Sequence, residues 1–306
     1  MKRMTTLATL LCCLVCTVLA HSGKNFTASD FFKTMEKGDK AAILMVHFGT
    51  THDETRKQTI DALNEQVQQQ YPDIEVRESY TSRIIIGRLN EKGIPKLNPV
   101  DALKRLYAEG YTHILIQSSA VIDGAEQEAL YRNAENISFL FKEIRIGDPL
   151  LYTPHDYNSV IDVLTRNTDK RTAYVLVGHG TFDAATAQYA MLDYMLKDKG
   201  HTNFFVGTIE GYPESDHVLS QLKTTKLKNV VLVPFMFVAG EHAKNDIAGE
   251  WKETFEKAGY NVNVRMEGLG ENPDIRDIYL SHLTFIMHHK KTDILDKKTA
   301  YTKSMK

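Results

Sequence analysis

Three side chains that could bind a metal ion each follow an apolar segment in the second half of the chain. His179 follows "YVLV", Glu210 follows "FFVGTI", and His242 follows "VVLVPFMFVAGE". Two imidazoles and one carboxylate suit a divalent first-row ion and leave coordination positions open. Their wide spacing matches no local ligand motif, so the three can meet only if the fold brings the ends of three strands together.

Each of these residues also has a simpler explanation. His179 could cap the next helix or hydrogen-bond a backbone carbonyl, Glu210 could be an ordinary turn residue, and His242 could lie in a solvated loop. The glycines on either side of His179, Gly178 and Gly180, favour a functional role for it. Glycine lets a backbone and a ligand approach closely, because it has no Cβ. One shared site would explain all three side chains at once.

Short apolar segments alternate with amphipathic ones from residue 41 onward. We predict strands at 42–48, 74–79, 113–117, 143–146, 174–177, 203–208, 230–234 and 262–266. Continuous apolar strands that alternate with amphipathic helices indicate parallel sheets covered by helices on both faces. In such folds ligands bind beyond the carboxyl ends of the strands, where the three metal-binding candidates stand.

The order of the elements repeats along the chain. The first strand of each half ends in a Gly-Thr turn, at Gly49 in one half and at Gly180 in the other. Residues 114–126 also align without a gap with residues 230–242. This repeat favours an internal duplication. The sequence therefore predicts an α/β fold of two similar Rossmann-like lobes, each a parallel sheet flanked by helices, with the active site in the cleft between them.

The boundaries follow from this pattern. We expect an N-terminal α/β lobe at 41–150, a connecting segment at 151–170, and a C-terminal α/β lobe carrying the metal site at 171–290. A flexible tail is expected at 291–306, because its sequence has no apolar period.

The N-terminus has the order of a secretory signal. "MKRMTTLATLLCCLVCTVLAHSG" runs from basic residues through an apolar stretch to small residues, and is short for a membrane span. We predict a signal peptide at 1–20, a polar lead-in at 21–40, and a periplasmic protein with no stable membrane span after cleavage. An uncleaved anchor and lipidation at a cysteine remain alternatives. All three cysteines lie in this segment, so the mature chain would contain no thiol.

Composition and motifs exclude several functions. The formal net charge of -2 in 306 residues gives no basic excess, so no nucleic-acid partner is expected. The chain has no dinucleotide fingerprint, no Walker loop and no nucleophile elbow, which disfavours serine-hydrolase chemistry. A metal-dependent hydrolase stays open. Seven other, scattered histidines are expected at the surface or satisfied in the core: His47, His52, His113, His155, His201, His217 and His282.

Five motifs together resemble a known family. "HFGTT", "VIDGAE", "GHGT", "IEGYP" and "PFMFVAGEHAKNDIAG" are similar to those of anaerobic sirohydrochlorin cobaltochelatases of the CbiK type, which are class II chelatases. The resemblance covers about residues 40–290. It implies insertion of Co2+, or alternatively Fe2+, into sirohydrochlorin or a related tetrapyrrole during cobalamin-type metabolism. It also implies that His179, Glu210 and His242 bind the metal, and it makes a homo-oligomer conceivable.

The implied chemistry assigns tasks to these residues. Insertion must remove the pyrrole N–H protons, and a neutral imidazole can accept one near neutral pH. We expect His179 to accept the proton while Glu210 and His242 keep the ion. Sirohydrochlorin is rich in carboxylates, so cations should border the cleft, and Glu126 is expected to face the macrocycle. The candidate cations are Arg56, Lys57, Arg83, Arg88 and Lys244.

The expected export does not fit a cytoplasmic biosynthetic enzyme. The alternative function is therefore an exported tetrapyrrole-, haem- or metal-binding protein without turnover. Some exported members of the family bind haem at a subunit interface, but no motif in this chain matches their haem-ligating histidine.

Overall fold

Two four-stranded parallel sheets and a two-stranded antiparallel sheet form the framework of the protein. The computed structural model describes residues 25–240 and 243–304. The strands are β1 (Phe26–Ala28), β2 (Ala41–His47), β3 (Glu75–Tyr80), β4 (His113–Ser118), β5 (Glu143–Ile146), β6 (Thr172–Thr181), β7 (Phe204–Gly211), β8 (Asn229–Pro234), β9 (Asn261–Val264) and β10 (His289–Lys291).

Helices follow most of the strands. The first, α1, has three consecutive segments (Asp53–Arg56, Lys57–Asp61 and Ala62–Gln70), of which the middle one is π-helical. The others are α2 (Arg83–Glu91), α3 (Pro99–Ala108), α4 (Ala125–Ile137), α5 (Pro154–Leu164), α6 (Ala187–Asp198), α7 (Ser215–Lys223), α8 (π-helical Ala243–Trp251, then Lys252–Lys257), α9 (Pro273–His288) and α10 (Ile294–Ser304). Short 3-10 helices lie at Phe32–Thr34, Ser138–Leu140, Ala184–Thr186 and Leu269–Glu271.

The two large sheets have the same strand order. One runs β3-β2-β4-β5 and the other runs β7-β6-β8-β9. Every pairing within them is parallel. The central strands are almost wholly buried, as expected where helices cover both faces of a sheet. The predicted α/β fold with two parallel sheets flanked by helices is thus confirmed.

A shared core joins the two halves of the chain. One cluster of buried side chains includes Met45 from β2, Leu176 from β6 and Tyr279 from α9. The Tyr279 hydroxyl donates to the carbonyls of Ser119 and Ala120, each at 3.1 Å, just beyond β4. Helix α9 therefore ties the first sheet to a core that continues into the second.

The chain termini differ from the expectation of a polar lead-in and a flexible tail. β1 pairs antiparallel with β10, Phe31 is fully buried, and α10 follows within the expected tail. Backbone pairing between distant segments leaves no apolar period in the sequence. The hydrophobic pattern therefore did not predict the β1–β10 sheet. The predicted signal peptide at 1–20 lies outside the described residues. None of the described helices has the length and apolar character needed to cross a membrane.

Arg145 fastens both terminal segments to the first sheet. Its guanidinium is 3% exposed and donates to the carbonyl of Ser29 at 2.7 Å and to that of Ile286 at 2.8 Å. It also donates to Glu143 Oε1 at 2.9 Å and lies 5.2 Å from the centre of the Phe31 ring. A single buried cation therefore satisfies acceptors from β5, from the segment after β1 and from the end of α9.

Replacing Arg145 with methionine removes the guanidinium N–H donors. The Glu143 carboxylate and the carbonyls of Ser29 and Ile286 then lose these hydrogen bonds. We expect the free energy of unfolding, measured by urea denaturation, to fall by about 3 kcal/mol. Arg132→Met is the control, because the Arg132 side chain is 73% exposed and pairs with Glu128 along its own helix. Equal effects of the two substitutions would contradict the anchoring role.

A largely buried histidine connects α9 to the segment after β5 and to α5. His282 Nδ1 donates to the carbonyl of Asp148 at 3.0 Å, and Nε2 faces Asp156 Oδ1 at 3.0 Å. Burial alone would lower the pKa of His282, but the Asp156 carboxylate outweighs it and raises that pKa above its usual value. Both ring nitrogens face acceptors, so the doubly protonated ring fits this position.

This arrangement predicts a pH dependence. Since the pKa of His282 is higher in the folded state, its stabilisation is complete below the unfolded pKa of about 6.5 and is lost as pH rises through the folded value. The neutral variant His282→Gln cannot show this loss. We expect the difference in unfolding free energy between wild type and variant to shrink as pH rises above 6.5. A difference that stays constant in that range would refute the charged state.

Candidate functional site

The carboxyl ends of the two sheets face each other. The ring of His47, the last residue of β2, stacks on that of Phe237, beyond β8, with centroids 6.0 Å apart. The N–H of Asp123, beyond β4, donates to Gln188 Oε1 in α6 at 3.0 Å. We call the residues that end or follow the strands here the interlobe edge: 47–52, 79–84, 119–126, 178–188, 209–214 and 235–240. A ligand between the lobes would contact this edge.

His179 and Glu210 lie near the carboxyl ends of neighbouring strands. The register pairs Gly180 of β6 with Glu210 of β7, so His179 is one position away on the adjoining strand. His179 is half-buried and Glu210 is exposed. His179 Nδ1 lies 3.1 Å from the Gly180 carbonyl. A carbonyl only accepts, so the proton belongs on Nδ1 and the lone pair on Nε2, the tautomer that can ligate a metal through Nε2.

Two glycines make this arrangement possible. A Cβ on Gly180 would lie 1.7 Å from the Glu210 carbonyl oxygen, and the φ of Gly180 is +86°, a conformation that favours glycine. A Cβ on Gly178 would lie 2.2 Å from the ring of Tyr189 in α6. The Tyr189 hydroxyl also accepts the Gly180 N–H at 3.3 Å. The missing side chains of Gly180 and Gly178 therefore leave room for the Glu210 carbonyl and the Tyr189 ring. Tyr189 was missed by sequence reasoning, since it reads as an ordinary apolar position of a helix.

The third predicted ligand, His242, lies outside the described residues. The segment that leads to it passes beside β6, because the Phe235 N–H donates to the Val177 carbonyl at 2.7 Å. Within 25–240 and 243–304, no three His, Cys, Asp or Glu side chains are close enough together to hold a metal ion. A three-residue site around His179 and Glu210 thus requires a ligand from elsewhere, and His242 stays a prediction.

The first sheet has the same turn without the imidazole. Gly49 has a φ of +99°, and the residue before it is Phe48, which is 51% exposed. The neighbouring His47 is buried, with Nδ1 2.9 Å from Ser119 Oγ and Nε2 3.0 Å from Asn64 Oδ1. Burial lowers the pKa of His47, so its ring is neutral at physiological pH. This confirms His47 as a satisfied core histidine.

Comparison with known proteins decides the family. Residues 41–288 match the family model described as cobalt chelatase (CbiK). The chain belongs to the CbiK cobalt chelatase family. It is similar to the sirohydrochlorin cobaltochelatase of Salmonella typhimurium (strain LT2), with 36% identity over 80% of this chain and 95% of that protein. It is also similar to the sirohydrochlorin cobaltochelatase CbiKC of Nitratidesulfovibrio vulgaris, with 30% identity over 80% of this chain and 90% of that protein.

Solved structures agree at the level of the fold. SirB from Bacillus subtilis with Fe3+ aligns with a TM-score of 0.58 at 17% identity, over 80% of this chain and 94% of that one. SirB from the subspecies spizizenii in complex with cobalt aligns with a TM-score of 0.55 at 15% identity, over the same shares. At such identities the likeness concerns the fold alone.

The predicted cations of the chelatase divide into two groups. Some are occupied by nearby carboxylates: Arg56 Nε lies 3.1 Å from Asp61, and Lys57 Nζ lies 2.9 Å from Glu54. Arg83 is exposed, and it lines one pocket at the interlobe edge together with Glu126. Arg88 and Lys244 are also exposed, and like Arg83 they form no ion pair within the described part of the chain. Of the five predicted cations, Arg83 is therefore the one that is both exposed and part of the lining of this pocket.

The Gly180 contact gives a direct test. Gly180→Ala should lower the unfolding free energy by more than about 3 kcal/mol and abolish Co2+ binding in calorimetry, because β6 and β7 must separate. Gly200→Ala is a matched control: its φ is +84°, but nothing lies within 4 Å of an added Cβ. That variant should lose only about 1 kcal/mol, the intrinsic cost of the left-handed conformation. Similar losses in both variants would show that the close approach is unimportant.

Proposed function

We propose that this chelatase inserts Co2+ into sirohydrochlorin or a closely related tetrapyrrole. The observation that carries the proposal is the placement of His179 and Glu210 near the carboxyl ends of adjacent strands, in a chain of the cobalt chelatase family. His242 would supply the third ligand. Such a set leaves open positions on the ion, which the pyrrole nitrogens can take during transfer. Fe2+ suits the same donors, so it is a second candidate substrate.

Insertion also requires a proton acceptor. With Nδ1 bonded to the Gly180 carbonyl, His179 presents Nε2 as its basic atom. One nitrogen cannot hold the ion and accept a proton at the same time. We therefore assign Glu210 and His242 to hold the ion, while His179 Nε2 takes a pyrrole proton as the metal moves onto the ring.

We further propose that the protein works in the periplasm, after cleavage of residues 1–20. The support is the basic, apolar and small-residue order of that segment. In that compartment the enzyme would act on a tetrapyrrole that reaches it from elsewhere.

Insertion is tested with purified protein, sirohydrochlorin and Co2+, Fe2+ or Ni2+ in turn, followed by absorbance. Co2+ should give the spectrum of the metallated ring, since metal incorporation changes the chromophore itself. A binding protein without turnover would shift the spectrum but leave the metal outside the ring after the protein is removed. That result would contradict the proposal and support the alternative.

The assignment of roles is tested by two substitutions. His179→Ala should reduce the insertion rate by roughly 100-fold or more, because it removes the proton acceptor, and should weaken Co2+ binding less. Glu210→Gln should mainly weaken Co2+ binding. His201→Ala and Glu253→Gln are controls, since the first precedes β7 at the opposite edge of the sheet and the second lies on an exposed face of α8. Equal losses of rate and affinity in both site variants would contradict this division.

A further inference from the structure

Large apolar side chains are exposed along the interlobe edge. Four of them stand at or just beyond the carboxyl ends of strands: Phe48 is 51% exposed, Ile84 69%, Phe182 84% and Tyr212 53%. Three of these residues directly follow β2, β6 and β7, and Ile84 lies in the first turn of α2, just after β3. Exposed apolar side chains that lie together often mark a binding surface. A protein without a ligand there would gain free energy by burying them.

Phe48 occupies a special position on this edge. The left-handed glycines Gly49 and Gly180 hold corresponding positions in the sequences of the two lobes: Gly49 lies two residues beyond β2, and Gly180 is the last residue but one of β6. The residue before each is therefore placed equivalently, and it is Phe48 in the first sheet and His179 in the second. Since the two edges face each other, a flat molecule between the lobes would present one face to each of these residues.

A second imidazole at this position would have a chemical consequence. Cobalt in a tetrapyrrole binds axial nitrogen ligands on both faces of the ring. Once His179 has passed the accepted proton on to water, its Nε2 could ligate the inserted metal from one lobe. A second histidine on the other lobe would then hold the product by two axial bonds. A chelatase must release its product, so a group that contacts the ring without ligating the metal is favoured on one side.

We propose that Phe48 contacts one face of the tetrapyrrole. On that face the axial position of the inserted metal then has no protein ligand, so that the product can dissociate. This inference rests on the proposed function and specifies how the same site treats its substrate. Phe48 is a positioning residue: its ring covers the apolar face of a macrocycle by stacking. Ile84 would extend this surface, and the adjacent exposed Arg83 suits the carboxylate periphery of the ring.

The proposal is tested by changing Phe48 in two ways. Phe48→Ala removes the stacking surface, so the Kd for metal-free sirohydrochlorin should rise about tenfold while Co2+ affinity stays that of wild type. Phe48→His introduces an imidazole at this position. The first turnover should then proceed, and later turnovers should slow about tenfold or more, because product dissociation becomes limiting. The bound product should then show the spectrum of a six-coordinate, bis-imidazole complex.

Matched controls use another exposed phenylalanine. Phe139 is 80% exposed in the Ser138–Leu140 helix, before β5 and away from the interlobe edge, so Phe139→Ala and Phe139→His should behave as wild type. An unfolding free energy equal to that of wild type, measured by urea denaturation, shows that both Phe48 variants fold.

The outcomes separate the inference from the proposed function. If wild type inserts Co2+ but Phe48→Ala binds sirohydrochlorin with unchanged Kd, the contact is wrong and the proposed function stands. If Phe48→His releases product as fast as wild type with a five-coordinate spectrum, the release role is wrong. If wild type neither binds nor metallates sirohydrochlorin, the proposed function fails and the inference fails with it.

Discussion

The candidate site depends on a backbone contact that tolerates no side chain. Gly180 lies so close to the Glu210 carbonyl that even a methyl group would overlap it. This contact keeps β6 and β7 paired to their very ends, so that His179 lies one position from the residue that pairs with Glu210. The imidazole and the carboxylate are thus positioned by main-chain geometry, whereas a network of side chains would have to be rearranged each time the metal moved.

The difference between the lobes follows from how each turn is packed. In the second lobe Gly178 leaves room for the Tyr189 ring, and the next residue carries the imidazole. In the first lobe the equivalent position is His47, whose ring is buried against Ser119 and Asn64. There the imidazole has become part of the core, and an exposed phenylalanine follows it. Corresponding positions thus carry an imidazole in the second lobe and an exposed aromatic ring in the first.

Much of the fold could be predicted from the sequence, because strand burial and helix periodicity are local signals. All eight strands of the two large sheets were expected, and the adjacency of His179 and Glu210 follows from parallel topology. The pairing of β1 with β10 could not be predicted, since it joins polar segments from opposite ends of the chain. The structural roles of Arg145 and His282 could not be predicted either. Their partners are mostly carbonyls and a carboxylate from distant segments of the chain.

A protein that transfers a metal ion needs a binding site that is fixed in position and moderate in affinity. Different atoms provide the fixed position and the moderate affinity. Position comes from the paired backbones and from the bond between His179 Nδ1 and the Gly180 carbonyl. Moderate affinity comes from exposure: Glu210 stands in water, where the attraction between a carboxylate and a cation is screened far more than in a protein interior. A buried carboxylate in the same place would hold the ion more tightly and oppose its transfer. In the proposed site, the exposure of Glu210 would therefore favour movement of the metal onto the macrocycle, which offers a complete set of nitrogen donors in return.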